Sequence, residues 1–343
     1  MIDWTRGYTA RWRLYAVNRD TWADAGQIEG FRDAKIERDM TDDAPLLESG
    51  GFSLDGDLAD GYYRLAMIAE QDGQAERVDV STLLCCASSG TADKGADGVE
   101  VVGRSVLWPA STRLLTHGAY APAGVDGADF AADLLRECVH CPVTAVGGFE
   151  LAQHVVFDLG ASYLEAAWAV LDAGGWCMRI DGRGEVSVQP RPTEPRLELS
   201  TVNAALLQPG IGHSLDLSEV PNRYTAVDEA QVAQAVNDDP TSETGIPRRG
   251  YIIDIVDDSP DRVNGETLAA YAARRLREES TLVDERTYTR EFVPNVLPYD
   301  IVRGSMPSVR LDGDMTVRSQ SLACGRGIVV TEKSAREVVT WQG

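Results

Sequence analysis

From Asn222 onward the chain sets one amphipathic stripe among a series of β-forming segments, and that order limits the folds open to it. Leu268, Tyr271, Ala272 and Leu276 recur at helical spacing, with Arg275 interrupting the edge of the stripe and Arg274, Arg277 and Glu278 lying off it. Around this helix, residues 223–227, 251–256, 287–292, 315–319 and 327–331 are rich in β-branched and aromatic side chains or alternate them with polar ones. One helix covers only part of one sheet face. The pattern therefore predicts a mostly antiparallel sheet with a single helix, at about residues 265–279, laid on it.

The first hundred residues read as a second β region. Residues 8–17 partly alternate apolar with polar side chains, and 51–54, 62–69, 76–81 and 99–103 continue the pattern. Asp-Gly turns at 54–56 and 71–73 separate them, which predicts one sheet, open or closed. Character changes near Leu107-Trp108-Pro109. From Asp126 the chain turns helical, with Phe130, Leu134 and Leu135 on one face and Cys138 extending it. A second helix follows over 162–172, its stripe made by Tyr163, Ala166, Ala167, Val170 and Leu171 and its end marked by Gly174-Gly175. Residues 176–180 and 185–188 then flank the turn Asp181-Gly182-Arg183-Gly184 as a hairpin.

The proline run from Pro190 to Pro195 reads as a linker. A Gly- and Ser-bearing stretch, 208–219, leads into the last β region, where 237–245 is a polar, acidic loop. Residues 228–236 suit either a short helix or two strands around a turn. No internal repeat is present. The expected organisation is α+β, mostly β: a first β domain over 1–109, a helix-hairpin α+β insert over 110–195, and a second β domain over 196–343.

The charge balance excludes some functions. Thirty-two Lys and Arg face 54 Asp and Glu, a net charge of −22. A surface so acidic repels phosphates, which argues against a general nucleic-acid binder. No apolar run approaches the roughly 20 residues of a membrane helix, and the N-terminus lacks the basic and apolar regions of a secretory signal. Folding in a cytoplasm is expected.

Chemistry-bearing motifs are sparse. The six cysteines do not form a disulfide framework. Cys138-Val-His-Cys141 has the spacing of a metal or redox pair, but four converging ligands would be needed and only Cys138, His140 and Cys141 are local. Small buried thiols near a helix end are the plainer reading. His117, His140, His154 and His213 stand in no nucleophile context, and no Gly-x-Ser-x-Gly elbow occurs. Val146-Gly147-Gly148 lacks a Walker lysine and a dinucleotide fingerprint. The carboxylate pairs Asp42/Asp43, Asp57/Asp60, Asp257/Asp258 and Asp312/Asp314 match glycosidase or calcium chemistry in type, yet most sit in ordinary turn sequences. No catalytic, cofactor or metal residue is expected. Two other readings remain open: a carbohydrate-binding β module using Trp4, Trp12, Trp22 and Trp108 as a platform, and a cell-wall hydrolase using an Asp pair.

The order of parts resembles the hub proteins of phage tail tips and baseplates, including the N-terminal structural part of tail-associated lysins. Residues 49–56, 61–65 and 72–80 are similar to that family's opening β region, 161–171 with 174–186 to its helix, glycine and hairpin unit, and 221–224, 268–276 and 297–302 to its closing β region. Tyr299 departs from the pattern, since similar proteins often carry Gly before the Asp that stands here as Asp300. The sequence ends at Gly343 without the peptidase or lysozyme-like extension of some relatives, so a purely structural copy is expected. The resemblance implies a homotrimer whose tube-like β domains, barrel or sandwich, form a pseudo-sixfold ring. It further implies tail-tube, distal-tail, tape-measure and spike or fibre partners, passage of DNA through an acidic lumen, and a virion location after assembly in the host cytoplasm.

Overall fold

The chain opens with strands whose side chains alternate between two faces. In the computed structural model, which describes residues 2–40, 46–56, 58–86, 99–201, 203, 206–229, 231–262, 265–325 and 328–341, these are Thr9–Val17 (β1), Asp24–Ile28 (β2), Phe31–Asp39 (β3), Glu48–Leu54 (β4), Gly61–Gln71 (β5), Gln74–Cys85 (β6) and Val99–Arg104 (β7). Next come Trp108–Thr112 (α1), Ala119–Ala121 (β8), Gly127–Arg136 (α2), Val143–Ala145 (β9), Val155–Phe157 (β10), Tyr163–Ala173 (α3), Trp176–Ile180 (β11) and Val186–Pro190 (β12). Then follow Pro195–Ser200 (β13), Gly212–Ser214 (β14), Arg223–Asp228 (β15), Gln231–Val236 (β16), Ile246–Arg249 (α4), Asp254–Asp257 (β17) and Leu268–Glu279 (α5). Thr281–Glu291 (β18), Ile301–Met306 (β19), Leu311–Cys324 (β20) and Ile328–Val339 (β21) complete the order. The protein is mostly β with a minor helical part. Of the stretch 228–236 that is ambiguous in sequence, Asp228 ends β15 and residues 231–236 form β16.

Packing divides the chain into two units: Met1–Ile211 with Thr287–Ser334, and Gly212–Arg286 with Ala335–Gly343. In the larger unit the main sheet runs in the order β18-β21-β20-β3-β4-β7-β6-β5-β1-β2, and β19 joins β20 to β13. From β20 through β3, β4, β7, β6, β5 and β1 to β2 the neighbours are antiparallel, as are β19 and β20, whereas β13 and β19 are parallel. A closed sheet is not what forms: among the described residues β2 pairs with β1 alone, leaving an open edge. Asp72 and Gly73, at φ of 50° and 78°, make the two-residue turn between β5 and β6 that matches the twist of a hairpin.

β5 is an almost continuous apolar run because both of its faces are covered. Tyr63, Leu65, Met67 and Ala69 enter a core with Leu14, Ile36, Phe52, Leu83, Leu322 and Val330. On the other face, Tyr62 enters a core with the helices and hairpin of 110–195. There, α3 begins with a capping box: Ser162 Oγ accepts from the Glu165 amide at 3.1 Å while the Glu165 carboxylate accepts from the Ser162 amide at 2.5 Å. The face of α2 is shifted from the sequence expectation. Ala128, Ala131, Ala132 and Leu135 are buried, whereas Phe130 and Leu134 lie at the margin. These alanines share one core with Ala166 and Ala167 of α3.

The turn between β11 and β12 is clamped onto the first β region. The Arg183 carbonyl accepts from Trp22 Nε1 at 2.8 Å and from Arg64 Nη2 at 3.1 Å, and the Gly182 carbonyl accepts from Thr82 Oγ1 at 3.1 Å. Arg64, also bonded to Asp24 at 2.6 Å, is almost fully buried. A Cβ on Gly182 would lie 1.8 Å from the Asp79 carbonyl oxygen. Gly182→Ala is thus expected to destabilise the protein by about 2 kcal/mol, in the range of overpacking, with faster amide exchange at β11 and β12 in a denaturant series. Wild-type stability and exchange would show that the contact is not tight.

In the smaller unit, β15 lies between β16, antiparallel, and β17, parallel. Leu268, Tyr271, Ala272 and Leu276 of α5 pack on Tyr224, Ala226 and Ala235, so the stripe read from the sequence is the buried face. Thr267 caps the helix, its Oγ1 accepting from the Ala270 amide at 3.2 Å. Asp257 Oδ2 accepts from Tyr271 OH at 2.6 Å and Tyr224 OH at 2.9 Å. The hydroxyl of Tyr271, then the amide of Ser259, hold the Asp257 carboxyl below its ordinary value. A depressed carboxyl contributes stability above its unfolded pKa and loses it as pH falls through the folded one. Asp257→Asn should therefore flatten the acid limb of this unit's unfolding below about pH 4; an unchanged limb would show that the group is not coupled to folding.

Candidate functional site

Three distant stretches of the larger unit line one small cleft: Arg38, Leu47 and Glu48; Met178, Arg179 and Ile180; and Leu297, Pro298 and Tyr299. Each comes from a different region of the sequence reading. Arg38 Nε donates to Glu48 Oε1 at 3.0 Å, with both side chains nearly excluded from water. A bulge explains part of this geometry: β5 and β6 shift register at Leu65/Ala66, passing over Val80, whose carbonyl accepts from Arg38 Nη2. Arg179 Nη2 donates to Asp300 Oδ2 at 2.6 Å, and the Leu297 amide to the same oxygen at 2.9 Å. Burial pushes the Glu48 and Asp300 carboxyls up, and Arg38 and Arg179 respectively pull them back. Each carboxylate thus faces a guanidinium, an arrangement that locks segments together.

Tyr299 takes φ of 73°, the left-handed region that suits glycine, and is buried with Trp168 at 6.0 Å between ring centroids. The position where the resemblance led to an expectation of Gly is one whose backbone favours it. Such a conformation costs a bulky residue on the order of 1 kcal/mol, which ring packing offsets.

The residues singled out for chemistry are spread over the structure. Cys138, part-buried just beyond α2, accepts from Arg113 Nη1 at 3.7 Å, and Cys141 is buried in the core of the insert. His140 lies edge-on to Tyr62 at 6.2 Å. Among the described residues no group of three or more His, Cys, Asp or Glu side chains is placed to hold a metal. Asp42, Asp43 and Asp57 lie outside the described residues. Asp257 serves the two tyrosines, Asp258 accepts from Ser259 Oγ at 3.3 Å, and Asp314 takes both forks of Arg303 at 2.6 and 2.8 Å. His117 neighbours Thr116, His154 stacks edge-on against Tyr120, and His213 stands 3.1 Å from Asp284. Trp22 is buried, Trp4 packs on Tyr8 and Phe292, Trp12 donates to the Gly325 carbonyl at 2.7 Å, and Trp108 sits beneath Arg104. Four tryptophans so placed do not make one flat platform.

Sequence reasoning missed Arg38, Glu48, Arg64 and Arg179. A charged residue inside a β-segment carries no local mark of burial.

Burial pushes the thiols of Cys85, Cys141 and Cys324 up to about 12 and that of Cys177 to about 11. A protonated thiol is a poor nucleophile and a poor ligand. Alkylation of the native protein at mildly alkaline pH should therefore label exposed Cys86 first, with these four protected until unfolding. Equal labelling of Cys141 and Cys86 in peptide mass mapping would contradict the burial.

Solved structures share this arrangement over almost its whole length. The tail protein from Neisseria meningitidis MC58 is similar with a TM-score of 0.63 and 15% identity, over 96% of this chain and 97% of that one. A 43 kDa tail protein of prophage MuSo2 from Shewanella oneidensis gives 0.57 and 13%, over 94% and 97%. A chain of the Francisella PdpA-VgrG complex gives 0.50 and 8%, over 96% of this chain and 53% of that one. No protein-family model matches the sequence, and no curated protein matches it. This chain has the fold of phage tail proteins. At such identities the likeness is one of fold.

Proposed function

We propose that the chain is a structural protein of a phage tail, the hub of a tail tip or baseplate, and that it carries out no catalysis. The reading is carried by the end-to-end likeness of fold, which takes in 97% of each of two tail proteins. It is helped by buried carboxylates committed to guanidinium partners.

In this reading the first β domain (1–109) and the second (196–343) are tube-like modules, and the insert (110–195) decorates them. Three copies present six such modules as a pseudo-sixfold ring that joins the tail tube and distal tail proteins to a spike or central fibre, with the tape-measure protein inside. The net charge of −22 then has a physical role, because DNA leaving through an acidic lumen meets no cationic patch to hold it. Assembly takes place in the host cytoplasm and the finished site is the virion tail.

Mass measurement of the purified chain, alone and with neighbouring tail proteins, should give a trimer that binds them. A stable monomer without affinity for any of them overturns the hub reading. Carboxylates confined to the outer face of an assembled ring overturn the DNA-passage part, and cell-wall cleavage lost on changing one carboxylate would favour the hydrolase instead.

A further inference from the structure

The insert carries an apolar surface that its own fold leaves uncovered. β8 and β10 form a two-stranded ribbon in which Ala121 faces Val155, Tyr120 faces Val156 and Ala119 faces Phe157. Ala121 and Phe157 point into the core and anchor the ribbon. Tyr120 and Val156, directly opposite each other, point outward and are 57% and 76% exposed. Leu159 at 76% and Leu114 at 53% are also exposed, on the segments that flank the ribbon in sequence. Their two segments are tied together, the Leu115 amide donating to the Ala161 carbonyl at 2.8 Å and the Gly160 amide to the Leu115 carbonyl at 3.1 Å. These exposures therefore belong to hydrogen-bonded backbone. Tyr120 and Val156 on the ribbon, with Leu114 and Leu159 on the segments beside it, are the kind of exposed large apolar side chains that mark interaction sites on soluble proteins when they cluster.

Charge says what can cover it. Of 343 residues 54 are acidic, yet residues 114–125 contain no Asp or Glu and 151–161 contain Asp158 alone. Two copies of a chain at −22 repel each other wherever carboxylates meet, and a contact between them costs least where carboxylates are missing. A basic partner would be drawn to the acidic remainder of the surface and away from this patch.

We infer that the Leu114, Tyr120, Val156 and Leu159 surface is a contact between copies of this chain, with another copy as its occupant. The inference rests on the reading of the chain as a self-assembling tail component and adds where the copies touch. A stable interface buries roughly 800 Å² on each side, so the patch is its apolar centre and polar neighbours such as His154, edge-on to Tyr120, form its rim.

The test compares the wild-type protein with Val156→Glu and Tyr120→Ala by light scattering and sedimentation at low and high salt. Val102→Glu serves as the matched control, since Val102 is 68% exposed on β7, and thermal melts verify folding. Salt should strengthen wild-type association by screening the repulsion. Val156→Glu should weaken it about tenfold or more, as expected for a charge placed at the centre of an interface, with the melt and the control unchanged. An oligomer that survives Val156→Glu and Tyr120→Ala overturns the inference and leaves the hub reading standing. So does equal loss in the Val102→Glu control, or loss of binding to a different tail protein while the oligomer persists. A wild-type chain that is monomeric at every salt and binds no neighbouring tail protein overturns the hub reading itself.

Discussion

Glu332 is a carboxylate with no exposure to water, and neutralising it ties the last strands of the larger unit to the first ones. Arg290 Nη2 donates to its Oε2 at 2.6 Å, Gln320 Nε2 to the same oxygen at 2.7 Å, and Tyr288 OH to Oε1 at 2.5 Å. Gln320 continues the chain by accepting from Arg38 Nη1 at 3.4 Å, and Arg38 passes it to Glu48. One buried polar path thus crosses β18, β21, β20, β3 and β4. Its members face each other in register, Gln320 opposite Arg38 and Arg38 opposite Glu48. A slip of one residue in any of these strands would strand a charge in the core, and an uncompensated buried ion costs about 3–5 kcal/mol. The path therefore specifies register more than it adds stability.

The same logic governs how the insert is held. Its hairpin tip offers backbone carbonyls, and the first β region offers Trp22, Arg64 and Thr82 to meet them. Backbone supplies the acceptors, so the tip needs small residues more than particular ones. Gly182 permits the approach to Asp79, and Gly184, at φ of 72°, closes the turn against Thr82. At the other side of this interface Arg179 reaches Asp300 and Tyr299 packs on Trp168. Three stretches of sequence are thereby fixed in one body that can present the outer faces of its strands and ribbon to other molecules.

Much of the local structure was legible because it is written in short-range signals. Gly174-Gly175 mark the end of α3, the Asp72-Gly73 pair closes a hairpin, and the α5 stripe is the face that packs. Tyr299 was conspicuous as an exception, and its left-handed backbone gives the reason. What resisted was whatever depends on a distant partner. The buried face of α2 follows its alanines, which share a core with residues of α3, and nothing within 127–136 announces that. Arg38, Arg64 and Arg290 read as ordinary strand charges until the strands that cover them are in place. The open sheet was equally hidden, since closure depends on whether β2 finds a second neighbour.

The sequence by itself determined a mostly β chain with a small helical insert, an acidic balance, and a poverty of catalytic motifs, because strand alternation, helix caps, turn residues and net charge are properties of neighbouring residues or of simple counts. Only the tertiary structure decided the strand order that joins the two ends of the chain, the burial of paired ions across it, and the uncovered apolar ribbon on the insert. Those depend on which residues far apart in sequence meet, and the free energy of a buried charge or an exposed valine is fixed by what lies across from it.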